Sequence, residues 1–180
     1  MSSRETILRA AATLLSRNNG ATMDEVAKAA GISRATLHRY FAGRKTLIKA
    51  LEELGIAETE RAFQAARLDE GTATEALHRV VAETESTAPL LSFLLSEDQL
   101  YLEEPSEGWQ QLEDRLAALF HRGQADGEFR IDMSTTWLSD ALLALIAAAA
   151  WSAQFGRIAS KDYRAMVLDL FLNGARREQP

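Results

Sequence analysis

The chain has 180 residues, 47% hydrophobic and 26% charged, the balance of one ordinary globular domain or two small ones rather than of a disordered or collagen-like chain. It contains no cysteine, which excludes disulfides, thiolate metal sites and cysteine nucleophiles. The net charge of −6 is unevenly spread: residues 1–50 carry nine Lys/Arg against three acids, and residues 51–180 carry 11 against 23, so a basic module on an acidic body suggests a polyanion partner at the N-terminal end only.

Helical periodicity runs from end to end, with no sustained strand alternation, which predicts an all-α chain of about nine helices. Ile7, Leu8, Ala11, Leu14 and Leu15 make an apolar stripe over residues 4–17, and Asn18-Asn19-Gly20 stops that helix, with Gly20 suited to a left-handed cap. Thr22-Met23-Asp24-Glu25 has the form of a capping box opening a short second helix that ends before Gly31. Ser33 caps a third helix to about Tyr40. Phe41-Ala42-Gly43 breaks the pattern, and a longer helix follows from about Arg44 to Arg67. Beyond Gly71 the spacing predicts helices at about 73–87, from Pro89 to about Glu104, from Ser106 to about Asp126, from Ser134 to about Gly156, and from Ser160 to about Gly174. The longest apolar run, Ala141 to Trp151, is eleven residues, short of the ~20 that span a bilayer. No signal-peptide pattern opens the chain, so an intracellular, cytoplasmic protein without a membrane partner is expected.

Residues 22–41, TMDEVAKAAGISRATLHRYF, carry the functional signal. Two short helices joined by a glycine turn are what a helix-turn-helix requires, and Val26, Ala27, Ala30, Ile32 and Leu37 fall where the pair must pack. Small side chains at Ala27 and Ala30 permit a close, steep crossing. Ser33, Arg34, Thr36, His38 and Arg39 are left facing outward on a helix that fits the major groove of B-DNA. Arg34 can fork onto guanine O6 and N7, a contact worth ~1–3 kcal/mol of discrimination, and Thr36 can meet a thymine methyl or a phosphate.

The ordered pattern Thr22-Met23-x-x-Val26-Ala27-x-x-Ala30-Gly31-Ile32-Ser33-x-x-Thr36-Leu37-His38-x-Tyr40-Phe41, followed by Gly43-Arg44-Lys45-x-Leu47, resembles the DNA-binding domain of TetR-type (tetracycline-repressor-like) transcriptional regulators over residues 4–51. The resemblance implies an all-helical homodimer: a helix-turn-helix domain (1–48) that binds a palindromic double-stranded DNA operator, and an effector-binding and dimerisation domain (49–180). By position it implies DNA contacts at Thr22, Met23, Ser33, Arg34, Ala35, Thr36, His38, Arg39, Tyr40 and Arg44. His38 stands where the family usually has tyrosine, and Arg44 where it usually has lysine. Repression, with release by a small-molecule effector, is the mode the family implies; the expected switch is a ligand in the body that tilts the fourth helix, residues 44–67, with Gly71 and Pro89 as pivots.

Residues 134–156 are apolar nearly all round, so one neighbouring surface cannot hide them. Together with the last helix they suggest a four-helix dimer interface through Leu142, Leu145, Ala149, Val167, Leu170 and Phe171, where the resemblance also places dimerisation. Phe63, Phe93, Tyr101, Trp109, Phe120 and Trp137 lie on the helices that surround the family's ligand pocket, although aromatics at helical spacing are more often plain core. Two other classes stay open. An enzyme is disfavoured because His38, His78 and His121 are far apart and no HExxH, Gly-x-Ser-x-Gly or phosphate-cradling glycine loop occurs. A protein-interaction module would not need Arg34, Arg39 and Arg44 on one helix-turn-helix. No cofactor, metal or catalytic residue is expected.

Overall fold

The computed structural model describes residues 3–96 and 106–176. Among them are nine α-helices: α1 (Arg4–Leu15), α2 (Met23–Ala29), α3 (Arg34–Tyr40), α4 (Arg44–Ala66), α5 (Ala73–Thr84), α6 (Ala88–Ser96), α7 (Glu107–Ala125), α8 (Thr135–Gln154) and α9 (Tyr163–Ala175), the last preceded by a 3₁₀ turn, Ser160–Asp162. Their starts are written locally. Side-chain oxygens of Ser3, Thr22, Ser33, Thr72 and Ser134 accept from backbone N–H groups in the first turn of α1, α2, α3, α5 and α8. The ends are less so. Helix α1 stops at Leu15, and Gly20 is not left-handed, whereas Gly31, in the turn between α2 and α3, is, with φ 65°. The reason is that carbonyls of the last turn of α1 find donors without Gly20: Ala12 accepts from Ser16 N–H at 2.9 Å, and Leu14 from Arg17 and Asn18 N–H at 3.0 and 2.9 Å.

Helices α1 to α3 pack on the start of α4 around Ile7, Leu8, Val26, Ala27, Leu37, Phe41 and Leu47. Arg9 on α1 reaches Glu58 on α4 at 2.8 Å, and Arg4 approaches Glu53 at 3.8 Å. In the body, α4 lies on α5, α6 and α7, and α8 is central, packed against α6, α7 and α9. Leu138, Leu142, Ile146 and Ala150 form its inward stripe. By length and composition α8 suffices to cross a membrane, with a mean hydropathy of 1.4 over 18 residues, a property that a search for unbroken apolar runs does not register. Here its inward face is the core of a helical bundle.

Two long-range polar contacts fix the joints. The Glu128 carboxylate accepts from the N–H groups of Ala73 and Thr74 at 2.8 and 2.9 Å, so a residue from the α7–α8 link caps the start of α5. Burial pushes the Glu128 carboxyl up, but the bonds from Thr74 and Ala73 and the charge of Arg122 outweigh it and leave the group below its ordinary range. Arg79 donates to the carbonyls of Ala66, Arg67 and Glu70 at 2.6, 3.0 and 2.5 Å, closing the end of α4, where Arg67 takes a left-handed conformation. Gly123 is required by close approach: a Cβ there would lie 2.3 Å from the ring of buried Phe129.

Candidate nucleic-acid interface

The capping box at the start of α2 is complete. Thr22 N–H and Oγ1–H donate to one Glu25 oxygen at 2.7 and 2.9 Å, and Glu25 N–H returns a bond to Thr22 Oγ1 at 3.3 Å. The Thr22 backbone and then its hydroxyl hold the Glu25 carboxyl below its ordinary range. Ile32 N–H closes the turn onto the Ala27 carbonyl at 3.0 Å, and Ser33 Oγ then caps α3 by accepting from Thr36 N–H at 3.1 Å.

Of the seven α3 residues only Leu37 is buried. Arg34, Ala35, His38, Arg39 and Tyr40 are exposed along with the cap Ser33. Thr36 is half-buried, and its hydroxyl is bonded to that of Ser33 at 2.9 Å, which makes it part of the cap as well as a candidate contact. Arg34 is drawn sideways to Asp24 on α2, Nη1 to Oδ2 at 3.0 Å. Met23 is half-buried against the core while Thr22 is exposed.

Arg44 does something that the sequence pattern hides. Its Nη1 donates to the Ala21 carbonyl at 2.9 Å and its Nη2 to the Asn19 carbonyl, so the guanidinium clamps the loop before α2. These carbonyls lie 23 and 25 residues away, and no local signal announces them. The two arginine contacts together bring the N-termini of α2, α3 and α4 to one side of the molecule. Helix N-termini carry unpaired backbone N–H groups and partial positive charge, the chemistry that receives phosphate. Charge adds to it, with Lys28, Arg34, Arg39, Lys45 and Lys49 all exposed on or beside these helices.

The residues singled out in the body separate. Phe63, Phe93, Trp109 and Phe120 are buried, and Phe120 stacks with Phe129 and Phe171 at 5.5 and 5.6 Å, so they fill the interior. Trp137 faces outward and is 58% exposed, and Tyr101 lies outside the described residues. Among the interface candidates, Leu142, Val167 and Phe171 are buried within the subunit: Leu142 lies on the inward stripe of α8, and Val167 and Phe171 lie on α9, which packs on α8 and α5, with Phe171 against the Phe120 ring. Leu145 and Ala149 are half-buried and Leu170 is 65% exposed. Met166 on the last helix is exposed as well, as are Trp151 and Phe155, whose rings lie 5.0 Å apart. His38, His78 and His121 are all exposed, on three different helices.

The sequence pattern of bacterial regulatory proteins of the tetR family matches residues 7–51, the helices just described. Over 174 residues, 95% of this chain and 93% of the relative, the chain is 33% identical to the HTH-type transcriptional regulator NfxB of Pseudomonas aeruginosa. It is 32% identical over 97 residues, 54% of this chain and 51% of the relative, to the HTH-type transcriptional repressor LfrR of Mycolicibacterium smegmatis. In fold it is similar to the crystal structure of the TetR-like regulator LfrR from Mycobacterium smegmatis in complex with proflavine, with a TM-score of 0.77, 23% identity and 97% of each chain covered. A second solved structure, the TetR family regulator PfmR from Thermus thermophilus, gives a TM-score of 0.69 at 22% identity, covering 95% of this chain and 99% of that one. With a relative above 30% identity matched along nearly its whole length, the chain belongs to the tetR family of bacterial regulatory proteins.

Proposed function

We propose that the protein is a sequence-specific transcriptional repressor that binds a palindromic operator as a homodimer and is released by a small-molecule effector. The observation that carries this is α3, a capped helix with one buried side chain and an outer face of Ser33, Arg34, Ala35, His38 and Arg39. Arg34 and Arg39 read base edges or phosphate; the N-termini of α2 and α4 hold the backbone on either side. Residues 1–48 form the DNA-binding domain and residues 49–180 the effector and dimerisation domain. The exposed apolar stripe of α8 and α9, with Trp137, Leu145, Ala149, Met166 and Leu170, faces a second copy. The twofold axis then sets two α3 helices one DNA turn, ~34–36 Å, or a small multiple apart. The names of NfxB and LfrR, a regulator and a repressor, support the reading, and the proflavine complex of LfrR supports an effector. The protein acts by binding, not catalysis, and its operator places it in the cytoplasm.

The test is selection of duplexes from a random pool, followed by anisotropy on the winner and on a scrambled copy. An enriched palindrome is expected. Arg34→Ala should lower discrimination by ~1–3 kcal/mol. Equal binding of both duplexes, unaffected by salt, overturns the proposal.

A further inference from the structure

The DNA-binding reading leaves unused a cleft of about 480 Å³ between the two parts of the chain. One wall is the end of α1 and the residues after it, with Arg17. The other is the start of α6 and the end of α8, with Pro89, Ala150, Ala153 and Gln154; Ser160 lies at the rim. Two donors in these walls are unspent. Nε2 of Gln154 is buried with no hydrogen-bond partner among the described residues. The Arg17 guanidinium makes no ion pair or hydrogen bond among them either. The carboxylate in the cleft is already engaged, since Glu85 receives Arg164 Nε at 2.6 Å. A buried amide without a partner costs stability. Its place on a cleft wall, near an unpaired cation and a floor of Ala150, Ala153 and Pro89, is the arrangement of a binding site: a few polar groups on an apolar surface between two structural units.

We infer that this cleft binds a small organic anion, a carboxylate on a flat apolar body, with Arg17 and Gln154 holding the carboxylate. The inference deepens the regulator reading and, in its coupling to DNA, rests on it. Because one wall is the first helix of the DNA-binding domain and the other the central helix of the body, occupancy ties their relative position to the ligand. Operator affinity must therefore change when the cleft fills, and by the same factor the operator changes anion affinity.

The experiment is calorimetric titration of the full chain with naphthalene-2-carboxylate, naphthalene-2-carboxamide and 2-naphthylmethylamine. The carboxylate is expected to bind, with the amide and the amine weaker by about tenfold or more. Arg17→Met should weaken the carboxylate about tenfold and leave the amide unchanged, whereas Gln154→Leu should weaken the carboxylate about tenfold and the amide as well. Both variants should fold, since Arg17 is exposed and leucine removes an unpaired amide, and thermal melts check this. Ala153→Trp should abolish binding by filling the cleft. No carboxylate binding, or equal binding by wild type and Arg17→Met, overturns the site. Equal or tighter binding of the amine overturns the anion assignment. Saturating carboxylate should shift affinity for the selected duplex by about fivefold or more, and an unchanged affinity overturns the coupling. A wild type that binds the duplex but no carboxylate refutes the cleft and leaves the regulator reading intact. Carboxylate binding without any selected duplex refutes the regulator reading and leaves the site.

Discussion

Replacing Leu170 by glutamate sets a charge on the apolar stripe that the proposed dimer buries, while leaving the buried core of the subunit unchanged. Leu170 is 65% exposed in the single chain. Full burial of a leucine is worth ~1.5–3 kcal/mol, so covering the exposed part returns about 1–2 kcal/mol per copy, and the twofold axis presents it twice, about 2–4 kcal/mol per dimer. At ~1.4 kcal/mol per factor of ten, Leu170→Glu weakens association by roughly 30- to 800-fold, before the cost of covering a carboxylate is added. Sedimentation equilibrium across a concentration series measures it. Circular dichroism should show an unchanged subunit, and affinity for a palindrome should fall much further than affinity for one half-site. The contrast is Leu142→Ala: that residue is fully buried in the subunit, so the change should cost ~2–5 kcal/mol of folding stability instead. A Leu170→Glu dissociation constant within about threefold of wild type, far below the factor per ~1.4 kcal/mol worked above, refutes the assignment of this face.

Arg44→Met should leave the Asn19 and Ala21 carbonyls without their donor, lower stability of the N-terminal helices by about 1–3 kcal/mol, and weaken operator binding; thermal melts and anisotropy read the two effects. Glu128→Gln should cost about 1 kcal/mol at neutral pH through the lost charge at the start of α5. Because the folded-state carboxyl lies below its ordinary 4.5, its stabilisation is present above that value and lost as pH falls through the folded one, so the gap between wild type and variant should close in acid. Gly123→Ala drives a methyl into the Phe129 ring, which is fully buried and stacked on Phe120, and should destabilise by about 1–3 kcal/mol or more in urea titration, whereas Gly174→Ala, with open space around it, should be neutral or better.

The N-terminal helices were legible because their information is local: Thr22 and Glu25, or Ser33 and Thr36, are three residues apart and fix a helix start without help from the rest of the chain. Helix α8 was legible as a helix but not in its orientation. With apolar residues on every side, periodicity could not say that Leu142 faces inward and Ala149 partly outward. The same limit applied to the aromatics, since nothing in a spacing distinguishes Phe120 in a ring stack from Trp137 at the surface. Arg44 was assigned outward by its place in a pattern, whereas its partners come from the loop before α2. The cleft was invisible because α1, the start of α6 and the end of α8 meet only in the folded chain.

The arginines at the two ends of α4 have a mechanical consequence. Arg44 fastens its first turn to the loop before α2, and Arg79 fastens its last turn to α5. Between them lie 23 helical residues, a rod of about 35 Å at ~1.5 Å per residue. Held at both ends, such a rod turns as one piece. A pivot of about 6° at the body end carries the other end through some 3.5 Å, close to the ~3.4 Å rise of one base pair. On the proposed operator, a mismatch of a single step would put α3 out of register with its half-site, so the helix would act as a gear that converts a small angular change in the body into one unit of length along DNA.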